Sequence, residues 1–146
     1  MSTDLIELWH QRARPNPTPT HFDTQLGCHF EEFVEMLETL SFQTHGETFA
    51  LTGLINAMRE FGDALKQGEI YASIRNRKEF LDSIADQVVT GIGAAHCAGM
   101  KASEAVARVN TSNWSKFDAD GQPIFNEHGK IAKGPQYAPP DLEGLY

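Results

Sequence analysis

Cysteine and paired histidines are scarce in this sequence of 146 residues. The two cysteines, Cys28 and Cys97, form no C-x-x-C spacing, and the six histidines include no H-x-x-x-H pair. We therefore expect neither a disulfide framework nor a structural zinc site. The sequence also has no run of about 20 apolar residues, the length that spans a bilayer. Residues 1–11 show neither the basic head nor the apolar core of a secretory signal. A cytoplasmic protein that binds no membrane is expected.

Positive charge is in short supply as well. Lys and Arg number 12 against 20 Asp and Glu, which gives a net charge of −8, and the local basic cluster at residues 75–78 is short. Duplex nucleic acid is not an expected partner, because gripping its backbone requires clustered Lys and Arg. An acidic protein would handle phosphates through divalent cations, which let carboxylates hold a polyanion indirectly.

The composition is otherwise typical of one globular domain. Hydrophobic residues make up 40% and charged residues 22% of the chain, and the length suits a single domain over residues 1–146. Apolar residues recur at helical spacing in several stretches. They predict helices over residues 24–44, 48–66, 77–98 and 100–109, the last starting near Ser103, with glycine stops at Gly68 and Gly99. The predicted fold class is all-α, a bundle of four or five helices.

The beginning of the chain is predicted as an arm over residues 1–22. A short amphipathic piece at residues 5–9 precedes three prolines at every second position, from Pro15 to Pro19. This spacing forbids a helix there and favours an extended arm. Asp23 or Thr24 would then cap the first long helix.

The end of the chain, residues 111–146, is predicted as an extended, turn-rich tail that packs on the helices. Turn signals occur at 120–121, 128–129 and 134–135. Phe125 and Ile131 are expected on two short strands around the His128-Gly129 turn.

Clustered carboxylates are the first feature that points to chemistry. Four glutamates lie within eight residues of the first long helix: Glu31, Glu32, Glu35 and Glu38. Like charges at these spacings repel and weaken a helix. Magnesium or manganese would reverse that cost, because carboxylate oxygens are the ligands that these ions prefer. A solvated acidic face is the plainer interpretation.

A second acidic set lies on the predicted 77–98 helix. Glu79, Asp82 and Asp86 are spaced at i, i+3 and i+7, close to one helical line. The neighbouring residues are mostly apolar, and a carboxylate in such surroundings must be paired, protonated or bound to a metal. Facing the glutamates of the first helix, this set would form a multi-carboxylate metal site inside a bundle.

Polar groups after the last helix suit phosphate or base recognition. Asn110, Asn113, Ser115 and Lys116 combine amide, hydroxyl and ammonium groups, and Lys130 and Lys133 follow in the tail. A solvated turn that contains lysines is the alternative interpretation.

These three groups, in this order, resemble the all-α nucleoside triphosphate pyrophosphohydrolases, the MazG-type and phosphoribosyl-ATP pyrophosphohydrolase-like superfamily. Residues 31–35 match its Glu-Glu-x-x-Glu helix, and residues 82–89 are similar to its second motif, a Glu-x-x-Asp followed by apolar residues. The tail resembles that of bacterial and phage members through Ser112-Asn113-Trp114-Ser115-Lys116-Phe117, Asp120-Gly121-x-Pro123, Gly129-Lys130 and Lys133-Gly134-Pro135-x-Tyr137-x-Pro139-Pro140. The resemblance covers roughly residues 22–141.

The resemblance implies magnesium-dependent hydrolysis of a nucleoside triphosphate, a deoxynucleotide or a non-canonical nucleotide, to the monophosphate and pyrophosphate. It implies that the metal, Mg²⁺ or Mn²⁺ in its place, is held by Glu32, Glu35, Asp82 and Asp86. Glu31 would be a further ligand or the base, with Glu32 and Lys116 also in the catalytic set. The substrate would be bound by Asn110, Asn113, Lys116, Lys130, Lys133 and Tyr137.

Two points stay open in this interpretation. Ser83 stands where the family has the glutamate of Glu-x-x-Asp, so either Asp82 completes the set with Asp86 or the register is Glu79 with Asp82. The resemblance and the small residues of the third helix also imply a homodimer or homotetramer. The competing function is that of a non-catalytic helical protein whose acidic face binds a basic partner.

Overall fold

The computed structural model describes residues 2–41, 45–127 and 129–146. Within these residues it is all-helical, which confirms the predicted class, and it contains α1 (Ser2–Ala13), α2 (Pro19–Glu38), α3 (His45–Gln67), α4 (Arg77–Cys97) and α5 (Ala102–Trp114). The chain divides into two compact units. We call Pro17–Arg75, with α2 and α3, the hairpin unit. Met1–Asn16 together with Asn76–Tyr146 form the tail unit. The single-domain organisation stays a prediction.

The helix α2 begins earlier than its sequence predicts, at Pro19 instead of near Asp23 or Thr24. Thr18 is the N-cap: its hydroxyl accepts a hydrogen bond from the His21 backbone N–H, and His21 Nδ1 accepts one from the Thr18 N–H. A proline fits the first helical position because its missing N–H has no partner within the helix there. The third proline therefore starts a helix instead of extending the arm.

Asp23 has a different role from the cap that was expected. It is 3% exposed, and its carboxylate accepts a hydrogen bond of 2.8 Å from the backbone N–H of Ala72. This bond fastens the segment after α3 to the start of α2. The buried carboxylate is thereby partnered, as burial requires.

In the hairpin unit, α2 and α3 pack along their lengths as an antiparallel pair. Val34, Leu37 and Leu65 are buried, and Phe30 meets Phe61 edge to face with ring centroids 5.3 Å apart. The predicted end of the α2 pattern was residue 44, but the helix ends at Glu38. Residues 42–44 lie outside the described residues.

The tail unit has a small aromatic core between α1 and the residues that follow α5. Trp9, Ala13 and Phe117 are buried together, with Trp114 and Ile131 packed against them. The Trp9 and Phe117 rings are stacked 5.7 Å apart. The indole N–H donates to the backbone carbonyl of Asn113 at 2.9 Å. Residues 2–13 thus form a helix that contacts this core through Trp9 and Ala13, and residues 14–18 remain of the expected arm.

The helix α4 is well formed but exposed. Asn76 caps it by accepting hydrogen bonds from the backbone N–H groups of Lys78 and Glu79, and Gly99, with φ +79°, follows its end as expected. None of its residues, all of which the structure describes, is buried. Leu81 and Val89 are 69% and 67% exposed. Asp82 and Asp86 are exposed too, so within the described residues of the tail unit the apolar surroundings expected for the α4 carboxylates are not found.

The final segment is held by backbone hydrogen bonds. Phe125 and Ile131 form an isolated antiparallel bridge instead of the two predicted strands; His128, in the predicted turn between them, lies outside the described residues. The last residues return to α5, where Leu145 is buried and its carbonyl accepts from the Lys101 N–H at 2.8 Å. No described helix combines the length and apolar character that a membrane span requires.

Candidate functional site

An acidic cleft of about 200 Å³ lies between α2 and α3 in the hairpin unit. Most of its charged lining residues are carboxylates, and two cations accompany them: Glu31, Glu35, Glu38 and Asp63 with Arg59 and Lys66. Glu31, Glu35 and Glu38 follow one another at i, i+4 and i+7, the spacing that keeps side chains on one face of a helix. The cleft therefore gathers three of the four glutamates that the sequence singled out.

Two glycines set the geometry of this cleft. A Cβ built on Gly27 would lie 2.6 Å from the carbonyl oxygen of Gly62, and one on Gly62 would lie 3.2 Å from that of Gly27. The helices can approach this closely because neither residue has a side chain. The close approach brings Glu31, one turn beyond Gly27, toward Asp63 and Lys66 of α3.

Lys66 joins the two walls of the cleft. Its ammonium nitrogen is 2.8 Å from an Asp63 oxygen and 3.3 Å from a Glu31 oxygen, and its side chain is 16% exposed. Burial by itself would lower the pKa of Lys66, but the hydrogen bond to Asp63 and the charge of Glu31 outweigh burial and raise it above the ordinary value. Lys66 is therefore a firmly charged cation. Farther along the cleft, Arg59 pairs with Glu38.

Asp63 is the residue that the sequence-based prediction missed. It belongs to Glu60-Phe61-Gly62-Asp63, a literal Glu-x-x-Asp on α3. The spacing is visible in the sequence, but it lies within a stretch interpreted only as an apolar helix. The second acidic motif was sought on the next helix instead. What distinguishes Asp63 is that α3 packs on α2 and carries Asp63 to the cleft.

The other predicted metal ligands are placed differently. Glu32, one residue from Glu31 and so about 100° around the helix, is exposed and does not line the cleft. Asp82 and Asp86 lie on α4, in the tail unit, and both are exposed, as is Glu79. Their part in a metal site stays a prediction.

The cleft fits a divalent cation in its donor chemistry. Carboxylate oxygens are the ligands of Mg²⁺, and oxygens of Glu31 and Asp63 already converge on one positive charge, the ammonium of Lys66. Glu35 lines the same cleft. Among the described residues of either unit, no three His, Cys, Asp or Glu side chains are arranged to hold a metal ion. Binding an ion here would thus require the side chains to move.

The predicted substrate residues lie in the tail unit. The Lys116 ammonium is 6.0 Å from the centroid of the Trp9 ring, and that of Lys133 is 4.8 Å from the Tyr137 ring. A Cβ on Gly134 would lie 2.8 Å from the Lys116 carbonyl oxygen, so the backbone next to Lys133 passes close to that of Lys116. Phosphate binding by these lysines stays a prediction.

Other members of the predicted set lie in α5 or directly after it. Asn110 and Asn113 lie within α5, which runs to Trp114 instead of ending near residue 109. Asn110 is buried, and the Asn113 carbonyl accepts from Trp9. The Ser115 hydroxyl donates to the Ser112 carbonyl and accepts from the Ala138 N–H, at 2.7 and 2.8 Å. This hydroxyl fastens the tail to α5.

The backbone of Lys130 is also committed to the fold. Its N–H donates to the Asn126 side chain, and its carbonyl accepts from the Asn126 N–H, both at 2.9 Å. Its side chain retains the phosphate-binding role as a prediction.

Comparison with protein-family models, with curated proteins and with solved structures finds no match. The family resemblance in the sequence therefore remains an expectation, and the function has to be argued from the residues.

Proposed function

We propose that this protein hydrolyses a nucleoside triphosphate, with magnesium, to the monophosphate and pyrophosphate. The observation that carries the proposal is the acidic cleft between α2 and α3. One wall carries Glu31 and Glu35 of a Glu-Glu-x-x-Glu sequence, and the other carries Asp63 of a Glu-x-x-Asp sequence. These are the two motifs of the pyrophosphohydrolases that the sequence resembles.

The proposed roles follow from these positions. Glu31, Glu35 and Asp63 would hold the metal, which when bound supplies positive charge to the triphosphate and lowers the pKa of a water molecule. The water oxygen forms a bond to one of the phosphorus atoms beside the α–β bridging oxygen, and the bond from that phosphorus to the bridge breaks. A cleft carboxylate not engaged with the metal accepts the water proton.

Phosphate binding is proposed for the lysines of the tail unit. The ammonium groups of Lys116 and Lys133 lie over the rings of Trp9 and Tyr137, which restrains their flexible side chains. Lys130 joins them as a third cation, and Tyr137 is available to stack on a base. An ammonium group bonded to phosphate is a charge-assisted contact, stronger than one between neutral groups.

Self-association into a homodimer or homotetramer is part of the proposal. It is supported by α4, whose apolar residues Leu81, Val88, Val89 and Ile92 are between 40% and 69% exposed. A second copy that covered this face would remove that apolar area from water, which is favourable.

The deciding experiment is a panel of canonical and modified nucleoside triphosphates with separate assays for pyrophosphate and orthophosphate. We expect pyrophosphate and monophosphate from at least one nucleotide, with magnesium required. Orthophosphate as the sole inorganic product would contradict the proposal. No turnover with any nucleotide would favour the non-catalytic alternative, a helical protein with an acidic partner-binding face.

A further inference from the structure

The position of Lys66 in the cleft is determined by the same glycine that lets the helices approach. Its Cγ is 2.7 Å from where a Cβ of Gly27 would be, so the aliphatic stem crosses α2 over Gly27. From there the ammonium reaches both Asp63, on its own helix, and Glu31, on the other. A side chain at residue 27 would obstruct this path.

The charges of the cleft explain why a cation is held there. Glu31 and Asp63 on facing helices would repel each other without a positive group between them. Lys66 supplies that group, at hydrogen-bond distance from Asp63 and 3.3 Å from Glu31. The cleft's second cation, Arg59, is engaged with Glu38. Lys66 therefore pairs with one proposed metal ligand on each helix, Glu31 on α2 and Asp63 on α3.

From this geometry we infer that Lys66 is a built-in competitor of the metal ion: it neutralises Glu31 and Asp63 in the metal-free protein and is displaced from them when a divalent cation binds. The inference rests on the proposed metal site. Lys66 is thereby a positioning residue that occupies the oxygens of Glu31 and Asp63 and lowers the metal affinity. Since its four-carbon stem is flexible, the ammonium can leave the carboxylates without a backbone movement.

Direct competition can be separated from a general charge effect by a matched pair of variants. Lys66→Met and Arg59→Met each remove one positive charge from the same cleft, but only the first removes it from Glu31 and Asp63. Mn²⁺ binding to the full-length protein, measured by calorimetry and by electron paramagnetic resonance, is the readout. We expect Lys66→Met to bind Mn²⁺ about ten- to hundredfold more tightly, the equivalent of one charge-assisted hydrogen bond. Arg59→Met should change the affinity less than about threefold, as expected of a screened charge.

Thermal unfolding gives a second readout that does not depend on activity. In chelator, Lys66→Met should melt below the parent protein, because Glu31 and Asp63 then repel each other. Added Mn²⁺ should raise its melting temperature by more than it raises that of the parent. Lys66→Gln, a smaller polar change, should also melt below the parent in chelator and gain more from Mn²⁺ than the parent does. It provides the test if the Met variant folds poorly.

The outcomes keep this inference apart from the proposed function. Equal Mn²⁺ affinities in parent, Lys66→Met and Lys66→Gln would overturn the competitor role and leave hydrolysis untouched. Equal gains in Lys66→Met and Arg59→Met would overturn it too, in favour of a general charge effect. No Mn²⁺ binding by any of them would overturn both. A selective gain for Lys66→Met that is lost when Asp63→Asn is added would support the competitor role, even in a protein that hydrolyses no nucleotide.

Discussion

The hairpin unit and the tail unit hold their helices by different means. In the hairpin unit, α2 and α3 touch through two glycines, and ion pairs of Lys66 and Arg59 cross the gap between them. In the tail unit, α1 and the end of α5 share an aromatic core around Trp9, and the residues after α5 are fastened by hydrogen bonds. Because the two glycines have no side chains, charged side chains can occupy the space beside their contact. In the tail unit, aromatic rings occupy the equivalent space.

This contrast bears on function. The contact of α2 with α3 at Gly27 and Gly62, here called the glycine crossing, places carboxylates from both helices around one small cleft. A cation is favoured there. In the tail unit, hydroxyl groups such as that of Ser115 hold the backbone after α5. We therefore expect metal binding in the hairpin unit, and phosphate binding by the cationic side chains of the tail unit stays a proposal.

The largest stability effect is expected in the aromatic core. Trp9→Ala removes a buried ring that stacks on Phe117 and an indole that donates to Asn113. It should lower the free energy of unfolding by about 3–5 kcal/mol, measured by urea denaturation. Trp9→Phe, which keeps a ring and loses the hydrogen bond, is the control and should cost less. Equal small losses in both variants would mean that the tail unit does not depend on this core.

The next prediction compares the two acidic helices directly. Asp63→Asn should lower the rate of pyrophosphate release by about a hundredfold or more, because a metal ligand contributes several kcal/mol to stabilising the transition state. Asp86→Asn, on exposed α4, makes the matched change and should have little effect. The reverse result would mean that Asp82 and Asp86 hold the metal and that the α2–α3 cleft does not.

The exposed face of α4 can be tested by its effect on assembly. The parent protein should have a mass in light scattering that is a multiple of 16.2 kDa. Val88→Glu would bury a charge in an apolar contact, and should weaken association by about a hundredfold, a cost of a few kcal/mol. Thr90→Glu, on the stripe of α4 that carries Asp86, is the control. A parent that is monomeric at micromolar concentration would contradict the assembly.

The glycine crossing predicts a smaller change in stability. Gly27→Ala should lower the free energy of unfolding by about 1–3 kcal/mol, since the new Cβ meets a backbone oxygen that cannot move aside easily. Gly53→Ala, on α3 with no atom within 4 Å of the added Cβ, should raise it by about 0.5–1 kcal/mol. Chemical denaturation of both variants is the measurement. Similar values for the two would mean that the helices are not in contact at Gly27.

The smallest expected effect concerns phosphate binding. Lys116→Ala should raise the Michaelis constant or lower turnover by about tenfold, the equivalent of one charge-assisted contact. Lys78→Ala, at the exposed start of α4, should leave both constants at parental values. Steady-state kinetics on the best nucleotide decides the matter, and parental constants for Lys116→Ala would remove this residue from the substrate site.

Much of the secondary structure could be predicted from the sequence, and the errors of that prediction have local causes. The predicted helix over residues 48–66 matches α3, His45–Gln67, and that over residues 77–98 matches α4, Arg77–Cys97. Apolar periodicity and glycine stops account for both. The N-cap at Thr18 was missed because Pro19 was taken as part of an arm, although the first helical position accepts proline. The pairing of Phe125 with Ile131 was expected, but as strands instead of one bridge.

The candidate site was only partly readable. Glu31 and Glu35, two residues of the predicted acidic group, line the cleft, whereas Glu32 does not. Their partner Asp63 was overlooked, because Glu-x-x-Asp occurs twice in the sequence, at residues 60–63 and at residues 79–82, and the second of these was examined. Spacing along a helix indicates the face on which a carboxylate lies. Which other residues share a site with that carboxylate depends on the helix that packs against this face.

The sequence by itself determined the all-helical class, the helices of the middle of the chain and their stops at Gly68 and Gly99, where φ is +73° and +79°. These features depend on interactions within a few residues, so a short stretch of sequence contains their cause. Only the tertiary structure decided that Gly27 meets Gly62, that Lys66 lies between Glu31 and Asp63, and that α4 remains exposed. Each of these depends on which helices pack together, and that choice is made by contacts between residues far apart in the chain.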